Sequence, residues 1–115
     1  MQLEDALDMA WKQLDRFGLT KAGWSVALDE RTRFLGHCSY EKKIITLSIY
    51  HLEQHGQLDV LDTILHEIAH ALVGPGHDHD ELWRAYARLC GARPQPCAAC
   101  GAPRRSNTPS SVIYL

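Results

Sequence analysis

Residues 58–73 constrain the fold more than any other stretch of this chain. Val60, Leu61, Ile64, Leu65, Ile68, Ala69, Leu72 and Val73 recur at helical spacing and leave almost no polar face. A helix built this way belongs in the interior, packed on more than one side. His66, Glu67 and His70 interrupt that apolar surface. Buried polar groups need partners, so this one helix demands that something in the fold answer its histidines and its acid.

The elements around it can be read from patterning. Leu3, Ala6, Leu7, Ala10, Trp11, Leu14 and Phe17 share a helical face, opposite Glu4, Asp5, Asp8, Lys12 and Asp15, and Gly18 ends the helix, which spans about residues 2–17. Its Trp and Phe are expected in the core. Trp24-Ser25-Val26-Ala27-Leu28 reads as a strand, Arg33 to Tyr40 as a second one interrupted by Gly36, and Ile44-Ile45-Thr46-Leu47 as a third. Together they predict a three-stranded antiparallel sheet. Ser48 caps a short helix from Ile49 to His55, which Gly56 closes. The central helix, about Leu58 to Val73, is broken by Gly74-Pro75-Gly76. A last helix, about Asp80 to Cys90, is expected to face Leu82, Trp83, Tyr86 and Leu89 inward, with Gly91 at its end. The remainder is rich in Pro, Ser and Ala, with little order expected beyond Ser106.

At 115 residues the chain has room for one domain. No apolar run approaches the roughly 20 residues that span a membrane. The acidic start Met1-Gln2-Leu3-Glu4-Asp5 is unlike a secretory signal, so a cytoplasmic protein with reduced thiols is expected. Charge is unevenly spread. Residues 1–81 hold 14 acidic and seven basic side chains, a net of −7, whereas residues 82–115 hold five arginines and no acid. Such a flank either meets an anionic partner such as DNA, through Arg84, Arg88, Arg93, Arg104 and Arg105, or is simply solvated.

His66 and His70 lie four residues apart, one turn apart on one helix face, where both imidazoles can reach a single ion. Glu67 falls beside that ion and can take a proton from a bound water without being a ligand. The run His66-Glu67-Ile68-Ala69-His70 thus has the HExxH form associated with zinc-dependent hydrolysis. A catalytic zinc takes three protein ligands and keeps one position for water, so a third ligand is needed. The metzincin spacing fails, because Val73 and Gly76 stand where it requires glycine and histidine. Glu81, eleven residues beyond His70, is a weak candidate for a glutamate on a later helix. His77 and His79 remain. Asp62, four residues before His66, is either a carboxylate orienting that ring or a solvated surface acid. Tyr40 and Tyr86 can donate to an oxyanion in principle, but no spacing selects either.

Four segments taken in order carry a resemblance: Arg33-Phe34-Leu35-Gly36-His37-Cys38-Ser39-Tyr40, Ile44-Ile45-Thr46-Leu47-Ser48, Thr63 to His70, and His79-Asp80-Glu81-Leu82-Trp83. With their Gly-x-Cys strand, isoleucine-rich strand ending in Leu-Ser, zinc helix and His-x-x-x-aromatic segment, residues 3–92 resemble the SprT-like metallopeptidase domain. The resemblance implies an α+β, zincin-like fold over residues 1–92, with a tail over residues 93–115. It implies one catalytic Zn(2+) held by His66, His70 and His79, with His77 as the alternative third ligand, and Glu67 as general base in peptide hydrolysis. Relatives similar to Spartan cleave proteins crosslinked to DNA, which suggests a DNA-associated protein substrate.

The tail departs from the family pattern. Cys97-Ala98-Ala99-Cys100-Gly101 looks like one zinc knuckle, whereas the family's ribbon has two, and a structural zinc needs four ligands. The pair is a degenerate ribbon, or a second site completed by Cys90 or a histidine, or one shared between two chains; degeneration, with no second structural zinc, is the expectation. Cys38 and Cys90 read as small core residues. The competing function is a non-catalytic zinc-binding module that contacts DNA or a regulatory protein, against which the presence of Glu67 argues.

Overall fold

The first helix, α1 (Leu3–Arg16), buries a narrower stripe than its periodicity suggested. Ala6, Ala10 and Leu14, at successive four-residue steps, are fully buried, and the two alanines let the helix lie close to its neighbours. Trp11 sits beside that stripe and is 40% exposed, contrary to the expectation that it is core. Glu4 and Asp5 in the first turn complement the helix dipole in the absence of a side-chain cap. The computed structural model describes residues 1–93.

Three strands follow, β1 (Ser25–Asp29), β2 (Gly36–Ser39) and β3 (Ile44–Ser48), in the spatial order β1-β3-β2. The sheet is mixed, not antiparallel as expected. β2 and β3 form an antiparallel hairpin, with Gly36 opposite Leu47 and Ser39 opposite Ile44. β1 pairs with the other side of β3 in parallel, Ser25 opposite Ile44 through Asp29 opposite Ser48. The centre goes to the most apolar strand: Ile45 and Leu47 of β3 are fully buried. The second strand also begins at Gly36 rather than Arg33.

The short helix α2 (Ile49–Gln54) is capped by Ser48, whose Oγ accepts from Tyr50 N at 3.2 Å and donates to Arg31 O at 2.6 Å. The central helix α3 (Gln57–Val73) packs on α1, β2, β3 and the last helix, α4 (Glu81–Cys90). Every residue from Asp62 to His70 is buried. On α4 the inward stripe is Trp83, Ala87 and Cys90; Leu82 and Leu89, expected inside, are 47% and 72% exposed. Gly91, with φ 95°, ends α4 in the left-handed conformation that glycine tolerates.

The interior holds a histidine outside the HExxH run. His51 of α2 is buried, with Nε2 2.9 Å from Thr63 Oγ1, and that hydroxyl donates to Asp59 O at 3.1 Å. With the hydroxyl proton so used, His51 donates through Nε2 and is neutral. Burial first, then the neighbouring His55, pushes its pKa down to about 3. The unfolded chain takes up this proton below about pH 6.5 and the folded one does not, so stability falls as pH drops from 6.5 toward 3. The loss from this residue is about 4 kcal/mol over the full interval. Urea unfolding at stepped pH will show a shallower acid loss for His51→Gln, which does not titrate, than for the native chain; equal slopes would exclude His51 as a source.

Candidate metal centre

His66 and His70 project from one face of α3 with ring centroids 5.2 Å apart. The chain then reverses. Gly74 (φ 90°) and Gly76 (φ 92°) take left-handed conformations, and a Cβ at either would meet no atom within 4 Å, so backbone sign and not space requires glycine there. His79 itself has φ 61°, unusual for a residue with a side chain. That turn returns its imidazole to the helix: His79 Nε2 lies 3.0 Å from His66 Nε2 and 3.2 Å from His70 Nε2. Asp80 then caps α4, accepting from Trp83 N at 3.0 Å.

The structure brings His79, and not His77, to the two helical histidines. His77 Nδ1 faces Asp80 Oδ2 at 2.8 Å, outside the cluster. The outer nitrogen of His79 is held by Asp78 Oδ1 at 3.1 Å, and His70 hydrogen-bonds the backbone of His77. A donated Nδ1–H at His79 leaves its Nε2 lone pair for the cluster. Trp83, fully buried, packs on all three rings with centroid separations of 4.5, 5.3 and 4.7 Å to His66, His70 and His79.

Burial keeps these imidazoles neutral. It is the first cause of a pKa well below the usual value at His66, of one near 3 at His70, and of a lowered one at His79. Three neutral rings with converging Nε2 atoms cannot satisfy one another, because one proton serves only one N···N pair. A cation among them does. Metal–nitrogen bonds of about 2.0–2.1 Å in a tetrahedron separate their nitrogens by about 3.3 Å, close to the spacing seen. Among the described residues these three form the group that could hold a metal ion.

Glu67 is wholly buried, and neither carboxylate oxygen has a hydrogen-bond partner among the described residues. Burial raises its pKa well above the ordinary carboxylate range. β2 runs flush against it at Gly36, where a Cβ would stand 3.0 Å from Thr63 Cγ2, 3.2 Å from Glu67 Cγ and 3.4 Å from Glu67 Oε2. Sequence reasoning took this glycine as an interruption of a strand and as part of the Gly-x-Cys segment, without assigning it a contact with Glu67. Asp62 neither orients His66 nor faces solvent. Its Oδ1 accepts from Arg93 N at 2.9 Å, and Arg93 Nε lies 3.5 Å from its Oδ2. Tyr40 donates to His70 O at 2.9 Å.

A family model for the SprT-like family matches residues 4–102. The chain belongs to the SprT-like family. Comparison with curated proteins and with solved structures returned no match. The four segments that carried the resemblance are, in this SprT-like chain, the strand against Glu67, the strand beside it, the helix bearing two histidines, and the turn that returns the third. Arg84 and Arg88 are exposed on α4, while Arg93 is held by Asp59 and Asp62. Arg104, Arg105, Cys97 and Cys100 lie outside the described residues. Cys90 is a buried free thiol, and no described helix is long and apolar enough to cross a membrane.

Gly36→Ala must push β2 off α3, because the nearest atom belongs to a β-branched side chain locked in the core. Overpacking of this kind costs about 1–3 kcal/mol. The expected result in a thermal melt is a Tm lower by roughly 4–8 °C per kcal/mol; an unchanged Tm would show that the strand yields freely.

Proposed function

We propose that this chain is a zinc-dependent peptidase acting through Glu67. The observation that carries the reading is the pairing of a converging histidine triad with a buried acid that nothing else in the described structure engages. A structural site has no use for such an acid and fills its remaining position with protein. Neither nearby candidate does so: Asp78 lies on the outer nitrogen of His79, and His77 on Asp80.

In this reading His66, His70 and His79 hold one ion, and three neutral imidazoles suit zinc. Bound zinc supplies Lewis acidity, lowering the pKa of water toward ~7 and polarising the peptide carbonyl. Glu67 takes the proton released as the water oxygen bonds to the carbonyl carbon. It then passes that proton to the nitrogen as the C–N bond breaks, so an acid and an amine leave. Glu67 acts here as the carboxylate: burial alone favours its protonated form, and a cation held by the three histidines would favour the charged one beside it. Trp83 holds the three rings in one arrangement. Family membership and the exposed pair Arg84 and Arg88 support a substrate associated with DNA.

Zinc content and cleavage of an unfolded protein, with and without single-stranded DNA, test the proposal together. The native chain should bind one zinc and cleave. Glu67→Gln should keep the zinc and lose about 10²–10⁴-fold in rate. Chelation should abolish cleavage and lower the melting temperature, as loss of a ligand at about 1,000 times its Kd removes about 4 kcal/mol. Undiminished cleavage by Glu67→Gln overturns the role of the acid. Stoichiometric zinc with no cleavage under any condition favours a non-catalytic zinc module instead.

A further inference from the structure

β2 touches α3 at two separated places. At Gly36 it lies against Thr63 and Glu67, and beyond its last residue, Ser39, the chain reaches His70 through Tyr40. Strand and helix therefore run in the same direction, with the strand spanning from the acid to the end of the helix that leads to His79. The second contact is a single hydrogen bond, Tyr40 Oη to His70 O at 2.9 Å, between residues 30 apart in sequence.

That carbonyl has an unusual load. It already accepts from Gly74 N at 3.0 Å, the last helical bond of α3 and the one that fixes the start of the reversal. Carbonyls in the last turn of a helix have few intrahelical partners, so a side-chain donor there secures an end that otherwise frays. Tyr40 takes the second lone pair of the His70 oxygen. Its ring is steadied from behind by an edge-on contact with Trp24, centroids 6.3 Å apart.

We propose that Tyr40 is a positioning residue, whose hydrogen bond to the His70 carbonyl locks the end of α3 so that the turn from Gly74 delivers His79 onto His66 and His70. The inference rests on the reading of these histidines as metal ligands. The bond does not touch the ion. It acts on the backbone of one ligand and, through the reversal that starts at Gly74, on the place of another. Outer contacts that orient ligands in this way change metal affinity by about 10–100-fold.

Tyr40→Phe keeps the ring and its contact with Trp24 and removes only the hydroxyl. Zinc affinity is to be measured by competition with a chromophoric chelator, and ligand geometry by the visible absorption of the cobalt(II)-substituted protein. Ser48→Ala, which removes the cap of α2 and the bond to Arg31, serves as a comparably destabilised control remote from the histidines. The expected result is a loss of tenfold or more in zinc affinity and an altered cobalt spectrum for Tyr40→Phe, with native values for Ser48→Ala. Native affinity and spectrum in Tyr40→Phe overturn the proposal, as does equal weakening in both variants, which would reduce the hydroxyl to general stability. A native chain that binds no zinc overturns the metal reading and this proposal with it. A native chain that binds zinc without cleaving, beside a weakened Tyr40→Phe, supports the proposal while removing the peptidase reading.

Discussion

Sealing a helix on all sides while leaving ionisable groups on it is the constraint from which the rest of this structure follows. The run from Asp62 to His70 is buried without a break, so its polar side chains depend on other elements, and Glu67 is left without a hydrogen-bond partner among the described residues. Asp62 is met by Arg93 after α4, Thr63 by His51 of α2, and His66 and His70 by His79 from the turn between helices. Those partners bring α2, the turn before α4 and the segment after it to the same helix. Burial also sets the chemistry, since desolvation drives the histidines toward their neutral form and the acid toward its protonated one. The same removal from water that makes the helix a core element makes its imidazoles available as ligands.

Helices and their ends were legible in the sequence because their signals are local. Ser48, Asp80 and Gly91 each act on the backbone within a few residues of themselves. The histidine pair was legible for the same reason, being a matter of helical repeat. Strand order was not, because pairing is decided between segments: β3 lies between β1 and β2 owing to its fully buried Ile45 and Leu47, and no spacing within β1 reveals that. Facing was equally hidden where apolar residues outnumber the space available. Alanines on α1 and the Trp83, Ala87 and Cys90 stripe on α4 took the inner positions, leaving Trp11 and Leu89 outside.

The candidate site divides along the same line. Sequence spacing could not separate His77 from His79, since both follow a glycine break at similar distance; the resemblance to the SprT-like family pointed to His79. In three dimensions the two differ sharply, one ring paired with Asp80 and the other against His66. What separates them is backbone handedness at Gly74, Gly76 and His79, a property with no side-chain signature at a histidine. The contacts of Gly36 and Tyr40 were hidden for a related reason, because both matter through close approach to a helix some 30 residues away.

Arg93, the last described residue, is bound to Asp59 and Asp62, near the start of α3. His70 lies 8 to 11 residues further along that helix, roughly 12–16 Å up its axis. Arg93 and His70 therefore stand apart along one helix, with His66 between them. By tying the segment after α4 back to the first half of α3, Arg93 braces the helix that carries two of the three histidines.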